Sequence, residues 1–310
     1  FAPFIGCALL AHYVLGWEVR PSLLGGIALS TTSMAVVYAV MVETGLNKTE
    51  FGKGILGACF VNDLGTVLAL GLLFAPFTYK TLIFVIGCST FIILLPFITR
   101  FITRLYAYKT AAVRTKWVLL VLFGLGALAL WAETEPVLPA YIAGMALAEA
   151  SASDALWVRR LRTLTVGFLT PFYFIRAGTL VNLKSLINVF PVIVFFGGKV
   201  FSKIFGLFPF IRFFRKNFKE QWYYTLLMST GLTFGTISAM FGLSKGIITQ
   251  EQYSFLVITV IASAVIPTII ANAFFLPRHL IPKEPTEELE MLGLGKPISP
   301  EREEEGLDEE

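Results

Sequence analysis

The chain has 310 residues, 56% of them hydrophobic and 15% charged, with a mean hydropathy of +0.74 and a formal net charge of +4. Soluble domains average about 45–50% apolar and about 25% charged residues, so a disordered chain, a collagen-like fibre and a disulfide-stapled secreted module are excluded. Two histidines (His12, His279) and three separated cysteines (Cys7, Cys59, Cys88) signal neither a zinc site nor a disulfide framework, and they leave no basis for a Ser–His–Asp centre. An enzyme is not expected, nor a cofactor, nor a nucleic-acid partner.

A membrane-spanning helix needs roughly 20 mostly apolar residues. That window predicts ten spans, in chain order about 1–16, 22–42, 54–76, 81–99, 116–132, 136–150, 164–180, 187–210, 221–243 and 253–277. Lysine and arginine alternate strictly between the two sets of connecting loops. One set holds Lys48 and Lys53; Arg100, Arg104, Lys109, Arg114 and Lys116; Arg159, Arg160 and Arg162; and Arg212, Arg215, Lys216 and Lys219. The opposite set offers only Arg20, Lys80, Lys184 and Lys245. Basic loops stay cytoplasmic, which predicts a multi-pass protein with a cytoplasmic C-terminus, expected in a bacterial inner membrane. Beyond the last span, residues 283–310 carry 11 of the 21 acidic residues. The stretch 278–310 reads as a disordered acidic cytoplasmic tail, with a short helix near Glu287–Leu292.

Ionisable groups inside a bilayer are costly and mark function. Asp63 is the one acidic residue placed deep within a predicted span, with Asn62 beside it. Lys199 lies at similar depth in the eighth span, Lys203 one turn nearer the cytoplasm, and Arg176 nearer the outer end of the seventh. Lys203 and Arg176 can both snorkel toward an interface.

The second span contains Ser30-Thr31-Thr32-Ser33 and the ninth contains Ser229-Thr230-Gly231-Leu232-Thr233-Phe234-Gly235-Thr236. Hydroxyls and glycines at mid-membrane can satisfy backbone groups freed where a helix unwinds; they also serve as packing glue between continuous helices. The alternating topology makes the first three spans an upside-down copy of the last three, with such a run in the middle of each. This is the inverted-repeat transporter plan, an all-α membrane fold with two crossed discontinuous helices at the midplane.

Thr32-Ser33, Val61-Asn62-Asp63 and Gly197-Gly198-Lys199, with the stretches 139–149 and 170–178, resemble the monovalent cation:proton antiporters. The closest branch is the Kef-like one, containing Na+/H+ and K+/H+ exchangers. The resemblance implies about thirteen helices in the family, with the first span here corresponding to the fourth, so that about three would precede Phe1. It also implies a core domain formed by 1–76 and its inverted half 187–277, a linker helix at 77–112 and dimerisation helices at 113–186, in a homodimer.

The implied mechanism is exchange of Na+ or K+ for H+, with Asp63 binding proton and cation alternately during an elevator-like movement. Asn62, Thr32 and Ser33 would supply further oxygen ligands to the hard cation, and Lys199 a supporting charge. Thr31, Arg176, Thr230 and Thr233 are additional candidates. Asn-Asp is the pattern the family associates with electroneutral exchange, although such members often have Arg where Lys199 stands. A small organic-ion symporter of the same plan is the alternative, and a cation channel stands behind it.

Overall fold

In a computed structural model, residues 1–74, 78–106, 112–134, 136–152 and 155–281 are described. The predicted acidic tail from 283 onward, its short helix, and Lys109 lie outside the described residues. The described residues form helices and turns, with no strand among them. This suits a chain that must satisfy its backbone within each segment when no water is present.

In chain order the helices are α1 (Ala2–Leu9, continued by a wider turn Leu10–Val14), α2 (Val19–Ser30), α3 (Met34–Glu43), α4 (Glu50–Phe74), α5 (Tyr79–Tyr106) and α6 (Val113–Trp131). They continue with α7 (Val137–Ala152), α8 (Ala155–Leu164), α9 (Thr170–Thr179), α10 (Phe190–Phe214), α11 (Phe218–Met228), α12 (Thr233–Ser244) and α13 (Gln250–Ile270). Among the described residues, seven segments are long and apolar enough to cross a membrane: Val19–Glu43, Glu50–Phe74, Tyr79–Tyr106, Val113–Trp131, Phe190–Phe214, Phe218–Ser244 and Gln250–Phe275. The protein is thus an all-α, integral, multi-pass membrane protein.

Ten spans were expected, and three of them fall short of that standard. The first and sixth are shorter apolar helices, Ala2–Val14 and Val137–Ala148. The seventh is built differently from its prediction. Arg159, Arg160 and Arg162, expected in a loop, lie on helix α8, which runs through a wide turn at Thr165–Leu169 into α9. Trp157, Val158 and Leu161 beside the arginines make α8 amphipathic, so it is helical although its sequence is too charged for a bilayer interior.

The chain divides into two compact units. Of the described residues, the first comprises Phe1–Asp63, Asn188–Ile237 and 255–281; the second comprises those within Leu64–Ile187 and Ser238–Ser254. In the first, α1 packs on α2 and α10, and α10 packs on α11. A core there gathers Val37, Val40, Met41 and Leu46 with Phe51, Ile55 and Cys59 of α4 and Tyr223, Leu227 and Met228 of α11. In the second, α5, α6 and α7 pack together through Cys88, Ile92, Leu95, Val121, Leu125, Ala143 and Leu147.

Candidate functional site

Two helices of the first unit are interrupted at buried positions. Between α2 and α3 the chain leaves helical geometry at Thr31 (φ −64°, ψ 154°) and re-enters after Ser33 (φ −85°, ψ 102°). Hydroxyls occupy the freed backbone groups, since Ser30 Oγ donates to the Ile27 carbonyl at 2.9 Å and Thr31 Oγ1 to that of Ala28 at 3.2 Å. Ser33 caps α3, its Oγ accepting from the Val36 amide at 3.3 Å. Between α11 and α12, Ser229 Oγ donates to the Thr225 carbonyl at 2.8 Å and Thr230 Oγ1 to that of Leu227 at 2.7 Å. Thr31, Thr32, Ser33, Ser229 and Thr230 are all fully buried.

The two breaks are tied to each other. The Ser33 amide donates to the Thr230 carbonyl at 3.2 Å, and Thr32 Oγ1 donates to the Met228 carbonyl at 2.9 Å. These bonds join residues almost 200 positions apart, and each satisfies a backbone carbonyl that the end of α11 leaves without a helical partner. Asn62 of α4 adds a third tie, its Nδ2 donating to the Ser30 carbonyl at 3.3 Å. Cys59, one turn before Asp63, sends its thiol to Met228 Sδ at 3.7 Å.

Asp63 follows Asn62 on α4 and is 1% exposed, yet its Oδ1 has no hydrogen-bond partner among the described residues. Lys199 of α10 is fully buried, and its Nζ is likewise without a partner. The two do not pair with each other. The Lys199 ammonium lies instead against Gly231 in the second break, occupying the place where a Cβ on that residue would stand, with Ser263 Oγ nearby.

Lys203, one turn further along α10, is the cation at the first break. It is 3% exposed, and its Nζ donates to Thr32 Oγ1 at 2.9 Å. The expectation that Lys203 snorkels to an interface is therefore corrected. Helix α10 continues past it to Phe214, which leaves its ammonium inside the protein. The four-residue spacing puts Lys199 and Lys203 on one helix face, but what that face meets, Thr32 of the first break, is set by packing between distant segments.

Of the other predicted positions, Thr233 opens α12 and is half-buried, whereas Arg176 lies exposed on α9 in the second unit. Ser263 of α13, which donates to the Val260 carbonyl at 2.8 Å and reaches the Gly231 carbonyl at 3.5 Å, was not singled out from the sequence. Nothing distinguishes it there from an ordinary packing serine.

A family model described as sodium/hydrogen exchanger, transmembrane, matches residues 1–276. Among curated proteins, the chain is similar to the "Probable Na(+)/H(+) antiporter 3" of Methanocaldococcus jannaschii, with 27% identity over 199 residues, 60% of this chain and 50% of that protein. It is also similar to the "Cation/H(+) antiporter 18" of Arabidopsis thaliana, with 22% identity over 274 residues, 84% of this chain and 34% of that protein. The chain therefore spans half the length or less of these relatives. With the match covering all the described membrane helices, the chain belongs to the sodium/hydrogen exchanger transmembrane family.

Proposed function

We propose that this protein exchanges a hard monovalent cation for protons across an energised membrane, with Asp63 as the group for which the two compete. The observation that carries this reading is a buried carboxylate oxygen left without a hydrogen bond beside two helix breaks tied end to end. Leaving such an oxygen unsatisfied in a folded interior is expensive, and a transported cation or proton is the ligand that relieves it. Asn62, Thr32 and Ser33 and the carbonyls of the breaks are oxygen donors of the type Na+ and K+ require. Thr31, Thr230 and Thr233 stand behind them, and Lys199 offsets the negative end of α11. Sodium, named in the archaeal relative, is the first cation to test, with K+ and Li+ beside it.

In this reading the interrupted helices cross at the membrane midplane, and residues 1–76 and 187–277 form the moving core. Helices α6 to α9 belong to a dimerisation domain, α5 links the two, and the movement is elevator-like in a homodimer. The cytoplasmic side carries the basic loops and the C-terminus.

The test is cation-driven proton release from proteoliposomes holding an imposed pH gradient, followed with a pH-sensitive dye. Na+, K+ or Li+ should dissipate the gradient saturably. Asp63→Asn should reduce the rate to that of empty liposomes while the protein remains monodisperse, and exchange at the original rate in that variant would sink the assignment.

A further inference from the structure

The two lysines of α10 occupy unequal positions. Lys199 rests against the second break and touches no acceptor, whereas Lys203 is hydrogen-bonded to Thr32, one of the oxygens assigned above to the cation. Thr32 Oγ1 gives its proton to the Met228 carbonyl and one lone pair to the Lys203 ammonium, so a single lone pair remains for a third partner. A metal cation on that lone pair would share one oxygen with a buried ammonium. Two unit charges so close repel strongly at the effective dielectric of a protein site.

An ammonium has three N–H donors, and Thr32 takes one of those of Lys203. No other hydrogen bond of this group exists among the described residues, and Asp63, which follows the Asn62 tied to the first break, has an unused carboxylate oxygen. The ammonium thus has an acceptor to hold and a charge to turn to.

We propose that Lys203 is a tethered cation that competes with the transported ion for the oxygens of the first break, and so sets the affinity of the site and the ease of release. The inference rests on the reading of Asp63 and Thr32 as cation ligands. With the ion absent, Lys203 holds Thr32; when the ion arrives, the ammonium gives up Thr32, and when it returns it helps expel the ion. Lys203 is in this sense a positioning and specificity residue, distinct from Lys199, whose ammonium serves the other break.

The test replaces the charge and keeps the donor. In Lys203→Gln the half-saturating cation concentration for exchange should fall about tenfold or more, and the maximal rate should fall with it because release is slowed. The same fall should appear in cation-dependent thermal stabilisation of the purified protein, which involves no turnover. Lys203→Arg restores the charge and should return both values toward the original. Lys203→Met carries the same expectation as the glutamine variant should the latter fail to fold. A half-saturating concentration that is unchanged or higher overturns the proposal, as does a lowered one that Lys203→Arg does not bring back. Asp63→Asn is run in parallel. Exchange surviving in it overturns the site itself, whereas its loss together with an unchanged affinity in Lys203→Gln overturns only the role of Lys203.

Discussion

At the scale of single residues, the site is defined by polar atoms that lack what buried polar atoms ordinarily have. Asp63 Oδ1 and Lys199 Nζ both sit inside the first unit without a hydrogen bond among the described residues. Gly231 is the reason Lys199 can stay where it is, because any side chain there would claim the space of its ammonium. Gly231→Ala should therefore push Lys199 Nζ out of the second break. The displaced atom is the tip of a flexible chain, so the cost in stability should be below about 1 kcal/mol. Exchange should nonetheless fall by about tenfold, a change of ~1.4 kcal/mol in the barrier. Rates from proteoliposomes and melting in detergent, measured on one preparation, check the two halves of this expectation. Asp63 was legible in the sequence because a lone acid among apolar residues needs no partner to be conspicuous. The work of Lys203 was not, because whether a lysine stem points to an interface or to a threonine distant in sequence depends on where its helix ends and what faces it.

At the scale of elements, the two interruptions were legible as runs of serine, threonine and glycine, residue types that offer a freed carbonyl a substitute donor. What the runs could not reveal was that each break finds its partner in the other, through Ser33 to Thr230 and Thr32 to Met228. That mutual satisfaction requires α2 and α12 to approach closely. Gly235 is where they do, since a Cβ on it would meet the Ala28 carbonyl at 2.7 Å and Val260 Cγ2 at 2.8 Å. Backbone cannot yield as a lysine tip can. Gly235→Ala should destabilise the protein by about 1–3 kcal/mol, the usual range for overpacking, and separate the breaks enough to impair exchange. Gly54→Ala on α4, where an added Cβ meets nothing within 4 Å, should be neutral or slightly stabilising in the same melting assay, because a helical glycine costs about 0.5–1 kcal/mol relative to alanine. Element boundaries were less legible. The cluster of Arg159, Arg160 and Arg162 resembles a loop by charge, yet Trp157 and Val158 before it and Leu161 within it give α8 an apolar face to lay down.

At the scale of the whole molecule, the net charge of +4 conceals two unlike parts. Residues 1–282 hold 22 basic and 10 acidic residues, and residues 283–310 hold 3 and 11. The excess in the first part lies mainly in alternate loops, from which the orientation is proposed. Lys216 and Lys245 are exposed on loops assigned to opposite sides of the membrane. With the three native cysteines replaced, Lys245→Cys should react with a membrane-impermeant maleimide in intact cells, and Lys216→Cys only after permeabilisation. The reverse pattern would invert the assigned orientation and leave the interrupted helices untouched.

By itself the sequence determined the solvent, the class of fold and the identity of the buried acid. These follow from hydropathy, helix length and the cost of charge in hydrocarbon, all properties of residues and their near neighbours. Only the tertiary structure decided which lysine serves which break, that Asp63 keeps an unpaired oxygen, and that two runs of hydroxyls complete one another. Those outcomes depend on contacts between segments such as Thr32 and Lys203, far apart along the chain, whose meeting is set by the packing of whole helices.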